Sequence, residues 1–154
     1  DYCGVIFFGL MITKKDTYLL EYNVRMGDPE TQAVLSLLES DFTEIVLAAI
    51  DGKLKDVEIK WKKGGACCVV LASKGYPGSY DTGKVIDIKE AENKVFVAGA
   101  KYEDDSLKTS GGRVMSIVST GDTVEEAIKN TYADIKNVSF DGMYFRKDIG
   151  TLYR

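Results

Sequence analysis

With 154 residues, 45% of them hydrophobic and 29% charged, the chain has an ordinary globular composition, enough for one compact domain or a domain piece joined to a small domain. A net charge of -4 argues against long-range attraction to nucleic acid, and the apolar run at residues 4–12 is far shorter than the ~20 residues of a membrane span. Histidine is absent, which excludes Ser-His-Asp and Cys-His catalysis and His-containing zinc sites within the chain and leaves carboxylates, amides, Lys, Arg and backbone groups to carry any chemistry.

The start lacks a basic segment followed by an apolar one and a small-residue cleavage site, so a cytoplasmic location is the expectation. Residues 3–13 form a continuous apolar run, which predicts a strand buried on both faces. Lys14, Lys15 and Asp16 make a polar turn, and residues 17–23 return as the second strand of a hairpin. Asp28-Pro29 then predicts a helix start, with Asp28 as N-cap and the proline in the first turn. Ala33, Val34, Leu37 and Leu38 give that helix an apolar side. A second helix opens at Ser40-Asp41 and stops at Asp51-Gly52.

From residue 56 the pattern changes. Val57, Ile59 and Trp61 alternate with Lys60 and Lys62, which predicts a strand with one solvated basic face. Residues 66–72 read as a buried strand, and Gly75-Tyr76-Pro77-Gly78 as a turn. Cys67 and Cys68, being adjacent on a strand, point to opposite faces; with Cys3 they read as buried small hydrophobes in a reducing compartment. Short strands follow near 84–89, 94–101 and 113–119. A helix then runs from about 123 to 137, opened by the capping box Thr123-Val124-Glu125-Glu126, with Val124, Ala127, Ile128, Tyr132 and Ile135 on one face. Arg146 and Asp148 are spaced to pair across a turn. The fold class is therefore α+β: a hairpin and two helices over residues 1–55, then a small domain of antiparallel strands with one packing helix over 56–154. The first stretch is too short for a core of its own and reads as the end of a larger domain.

Glu21 and Asn23, two apart on a strand, emerge on one face about 6.6–6.8 Å apart along it. A carboxylate and an amide oxygen so placed can converge on a hard cation such as Mg²⁺, which commonly takes one or two protein oxygens and completes its shell with water and phosphate. Arg25 would share that side if the strand continued, where its planar fork suits a phosphate or acyl phosphate. On spacing alone, the same pattern more often marks a solvated outer face. Gly111, Gly112 and Arg113 pose a similar choice between close backbone approach with a phosphate-facing arginine and a plain surface turn.

The longer string, L-E-Y-N-V-R-M-G-D-P-E-T-Q at residues 20–32, resembles the motif of the phosphoribosylamine–glycine ligase (glycinamide ribonucleotide synthetase) family, ATP-grasp enzymes of purine biosynthesis. The resemblance continues through A-S-K-G-Y-P-G at 72–78, S-G-G-R-V at 110–114 and Y-F-R-K-D-I-G at 144–150. It implies that Glu21 and Asn23 bind Mg²⁺, with Mn²⁺ as an alternative, and that Leu20 packs against the adenine of ATP. It further implies that Arg25 stabilises phosphoryl oxygens, that Asp28 and Glu30 orient glycine or 5-phosphoribosylamine, and that Arg113 meets a phosphate. Where relatives often read F-H-A-G, this chain has Phe96-Val97-Ala98-Gly99, and Val97 reads as a packing position.

The implied reaction forms glycinamide ribonucleotide by way of glycyl phosphate. The partners implied are these small molecules and a missing N-terminal part of the same enzyme, with no nucleic acid and no membrane, and the fragment alone is expected to be inactive. The competing reading is a non-catalytic interaction module with a vestigial strand motif.

Overall fold

The computed structural model describes residues 2–89 and 94–151, which divide into two compact units, Asp1–Lys62 and Lys63–Arg154. No helix among the described residues is long and apolar enough to cross a membrane.

In the first unit, β1 (Phe7–Ile12) and β2 (Thr17–Asn23) form the expected antiparallel hairpin. Its turn is closed by Thr13, whose amide and hydroxyl both donate to the Asp16 carbonyl at 2.9 Å. Two short helices follow, α1 (Glu30–Ser36) and α2 (Phe42–Ile50). Asp41 caps α2 as expected: its carboxylate accepts from the Thr43 and Glu44 amides at 2.6 and 3.3 Å, and these backbone bonds hold its pKa below the usual value.

Three expectations fail here. Asp28 does not cap α1; Pro29 takes the N-cap position, no side chain caps it, and the Asp28 carboxylate instead accepts from Gln32 Nε2 at 2.9 Å. Residues 57–61 form no strand, only an antiparallel bridge from Trp61 to Leu38, with Lys62 N–H donating to the Leu37 carbonyl at 2.8 Å. Nor is the 3–13 run buried, since Phe8, Leu10 and Ile12 are 55, 51 and 75% exposed, and Cys3 is exposed as well. Among the described residues of this unit only Gly27 and Ser36 are buried. An apolar run signals a demand for cover, and a hairpin with two short helices has too little surface to supply it.

The second unit owns the core. A four-stranded antiparallel sheet runs in the order β10 (Met143–Tyr144), β3 (Gly65–Ser73), β8 (Arg113–Gly121), β5 (Lys94–Val97). Two smaller pairs flank it: β4 (Ile86–Ile88) with β9 (Val138–Phe140), and β6 (Ala100–Glu103) with β7 (Ser106–Thr109). Helix α3 (Val124–Asp134) packs on β3 and β8, burying Ala127, and Ile135 follows it into the cluster formed by Cys67, Val69, Leu71, Val114, Met115 and Ile117. Val124, expected on this face, is 41% exposed at the first turn. The capping box forms in a shifted version: Thr123 Oγ1 accepts from Glu126 N at 3.2 Å, and Glu126 Oε2 accepts from Asp122 N at 2.8 Å.

The strand expected over 94–101 is split at Ala98-Gly99. A Cβ on Gly99 would lie 2.6 Å from the Arg113 carbonyl oxygen and 2.8 Å from Gly111 Cα, so only glycine permits this crossing of backbones. Val97 is 55% exposed rather than packed; it shares a face with Val95, which packs against the core, but it stands at the end of β5.

Candidate functional site

Strand β2 brings the first two predicted donors together. Glu21 is exposed, Asn23 is half-buried, and Asn23 Nδ2 donates to Glu21 Oε1 at 3.3 Å. Cross-strand partners lie on one face, so Glu21 sits beside Gly9, and Asn23 beside Phe7. The opposite face carries Phe8 and Tyr22, whose rings are 6.4 Å apart. A bulge interrupts the ladder: Gly9 pairs with Glu21 but Leu10 pairs with Leu19, which leaves Leu20 without a cross-strand partner and 62% exposed.

The strand ends at Asn23, so the condition for Arg25 to follow on the same side is not met. Arg25 lies in a bend and is exposed. Its Nη1 donates to the Met26 carbonyl at 3.1 Å, and the rest of its fork makes no ion pair among the described residues. Beyond it, Gly27 is buried, its carbonyl accepting from both the amide (3.0 Å) and the hydroxyl of Thr31. The Glu30 carboxylate folds back over Gly27, in the space a Cβ there would occupy. Asp28 is tied to Gln32 as described.

Glu21 and Asn23 fit a hard divalent cation as two of its ligands. A half-turn of the Asn23 amide exchanges its nitrogen for its oxygen, placing two hard donors side by side. Among the described residues no group of three or more His, Cys, Asp or Glu is placed to enclose a metal.

Arg113 belongs to the second unit, where it opens β8 opposite Ala72 at a register shift and is exposed. The glycines before it serve the backbone: Ser73 donates to Gly111 O through its hydroxyl at 3.0 Å and to Gly112 O through its amide at 2.8 Å. Gly112 lies under Tyr76 and Tyr80, whose rings are 6.2 Å apart and leave no room for a Cβ. Arg146 and Asp148 form a two-armed ion pair, Nε to Oδ1 at 3.0 Å and Nη2 to Oδ2 at 2.7 Å, which raises the arginine pKa and lowers that of the aspartate.

Sequence reasoning missed a shallow polar cavity of about 240 Å³ in the second unit, lined by Ser73, Lys74, Asp81, Lys84, Asp141 and Gly142. Lys84 and Asp141 pair across it at 3.3 Å. Its residues come from three separate stretches of chain, so no local string announces it.

Known proteins share both parts of this chain. Residues 66–152 match the family described as phosphoribosylglycinamide synthetase, C domain, and residues 1–31 match phosphoribosylglycinamide synthetase, ATP-grasp (A) domain. The phosphoribosylamine–glycine ligase of Clostridium acetobutylicum is 59% identical over 151 residues, which is 97% of this chain and 36% of that protein. The enzyme of the same name from Fusobacterium nucleatum is 49% identical over 99% of this chain and 37% of its own. The crystal structure of phosphoribosylamine–glycine ligase from Thermotoga maritima matches with a TM-score of 0.83 at 41% identity, covering 94% of this chain and 36% of that one. The chain thus spans about a third of the length of these relatives. Leu20, Glu21, Asn23, Arg25, Asp28 and Glu30 fall within the ATP-grasp match, and Arg113 within the C-domain match.

Proposed function

The chain belongs to the phosphoribosylglycinamide synthetase family, and from that premise we propose that it forms part of an ATP-dependent ligase joining 5-phosphoribosylamine to glycine in purine biosynthesis. The observation that carries this reading is the Glu21–Asn23 pair, side by side at the end of β2 within the residues matched to the ATP-grasp domain. In this reading residues 1–55 complete an ATP-grasp domain, residues 56–154 form the C-terminal domain, and the enzyme works in the cytoplasm.

The chemistry asked of these residues is electrostatic. Glu21 and Asn23 hold Mg²⁺, or Mn²⁺ in its place, and when bound the ion supplies positive charge to the phosphoryl group in transfer. Arg25, with most of its fork unengaged, adds hydrogen bonds to the phosphoryl oxygens as the glycine carboxylate becomes glycyl phosphate. The exposed Leu20 offers an apolar contact to adenine. Asp28 and Glu30 orient glycine or the amine of phosphoribosylamine, and Arg113 meets a phosphate. That amine attacks the acyl carbon, the carbon–nitrogen bond forms, and phosphate leaves.

The remaining walls of the site come from the rest of a longer polypeptide, so the 154-residue chain alone is expected to release no ADP with glycine and phosphoribosylamine. In the full-length enzyme, Glu21→Gln is expected to lower turnover and shift the Mg²⁺ titration with little change in Tm, because an exposed ligand contributes charge rather than packing. Unchanged turnover and an unchanged titration would remove the ligand assignment.

A further inference from the structure

We infer that Gly9 is a positioning residue for the Glu21–Asn23 pair, keeping clear the space in which the Glu21 carboxylate must stand to hold a divalent cation. The inference rests on the proposed function above. Gly9 lies directly across the ladder from Glu21, where a Cβ would sit 3.1 Å from Glu21 Cγ and 3.5 Å from its carbonyl oxygen. Contact that close requires Glu21 Cγ to give by a few tenths of an ångström, and the carboxylate it carries is displaced with it.

Two ordinary reasons for a glycine do not apply at this position. Gly9 is not among the positive-φ glycines, so its backbone conformation is open to any residue. It also lies inside a strand, where glycine is a poor choice and β-branched residues are preferred. What glycine does provide here is the absence of a side chain next to Glu21. The gap lies on the metal-ligand face, with Phe7 beside Asn23 as its neighbour, and it directly adjoins the bulge that leaves Leu20 unpaired. Bulges commonly re-aim side chains next to functional sites.

A purely structural account and the positioning account predict opposite changes. If Gly9 served only the strand, alanine or valine would leave metal binding alone and hold or raise stability. If Gly9 positions Glu21, the same substitutions weaken metal binding while stability holds. The experiment uses the full-length enzyme with Gly9→Ala, Gly9→Val and, as reference, Glu21→Gln. Free Mn²⁺ is followed by electron paramagnetic resonance in the presence of a non-hydrolysable ATP analogue, and Tm is recorded in parallel. Gly9→Ala is expected to weaken Mn²⁺ binding on the order of tenfold, the range found when the groups that orient a metal ligand are altered, and Gly9→Val to weaken it further.

If Glu21→Gln weakens binding while both Gly9 variants bind as the parent does, the positioning role is refuted and the ligand assignment stands. Loss of binding only in proportion to loss of folded protein refutes it too, and Gly9→Ala, the smallest change, decides should Gly9→Val not fold. If Glu21→Gln itself leaves Mn²⁺ binding unchanged, the underlying ligand reading fails, and this inference fails with it.

Discussion

The Tyr132 hydroxyl ties the C-terminal segment of the second unit to α3, and Tyr132→Phe removes that oxygen alone. The hydroxyl donates to the Arg146 carbonyl at 2.8 Å and accepts from the Ile149 amide at 3.1 Å. Its ring packs against Phe145 with centroids 6.3 Å apart, a contact that phenylalanine keeps. A net worth of 0.5–1.5 kcal/mol per hydrogen bond gives about 1–3 kcal/mol for the two, and the half-buried position, where water can partly replace them, favours about 1–2 kcal/mol. For a domain of this size that is a Tm lower by roughly 4–16 °C. Differential scanning calorimetry of the 154-residue chain measures the loss, and amide hydrogen exchange locates it, with Ile149 losing protection first. An unchanged Tm together with an unchanged Ile149 exchange rate would show that the strap holds without the hydroxyl. Burial also raises the tyrosine pKa above its ordinary value. A raised pKa means that the stability linked to the neutral phenol is complete below pH ~10 and is lost as pH rises through the folded value. That alkaline loss should be absent from Tyr132→Phe.

Leu71, fully buried at the centre of β3, should cost about 2–5 kcal/mol on replacement by alanine, read as a fall in denaturation midpoint with an unchanged m-value. Thr123→Ala removes the acceptor for Glu126 N and should cost about 1 kcal/mol in the same assay, with fraying confined to the first turn of α3. The Arg146–Asp148 pair lowers the Asp148 pKa through the arginine's hydrogen bonds, so its contribution is present above the ordinary carboxylate range and is lost as pH falls through the folded value. Melting curves of the parent and Asp148→Asn should therefore converge at low pH; a constant separation across the acid range would rule out the pair as its source.

The elements legible in the sequence were those whose signals are local. Capping geometry at Asp41 and Thr123, the polar turn after β1 and the buried run of β3 each depend on residues a few places apart, and each appears as expected. Signals requiring knowledge of what lies opposite were misread. Val95 and Val97 share one face of β5, and only the point where the strand ends decides that Val95 is covered while Val97 is left exposed. The 3–13 run was recognised as apolar, but burial depends on a cover that the first unit does not build. At the candidate site, the i, i+2 spacing correctly put Glu21 and Asn23 on one face, because β2 is regular there. Extending that count forward to Arg25 failed where the strand ended. Asp28 could not be assigned by propensity, since a helix cap and a side-chain partner for Gln32 demand the same residue type. The polar cavity around Lys74 and Lys84 was invisible to a linear reading, being assembled from three separate stretches of chain.

The unpaired Leu20 acts on the hairpin as a phase shifter. On its strand-end side Glu21 and Asn23 share a face with Gly9 and Phe7; on its turn side it is Tyr18, opposite Met11, that lies on this face, and Leu19 is turned away with Leu10. With an even count, Leu19 would occupy Tyr18's face and the entire turn half would be inverted. Deleting this one residue would instead close the bulge: Leu19 would stand next to Glu21, the two opposite Leu10 and Gly9 as they are now, and both halves of the hairpin would keep their present faces. The extra leucine thus adds a local bend and twist to the strand beside the site, and deletion of Leu20 should preserve the side on which Glu21 and Asn23 emerge.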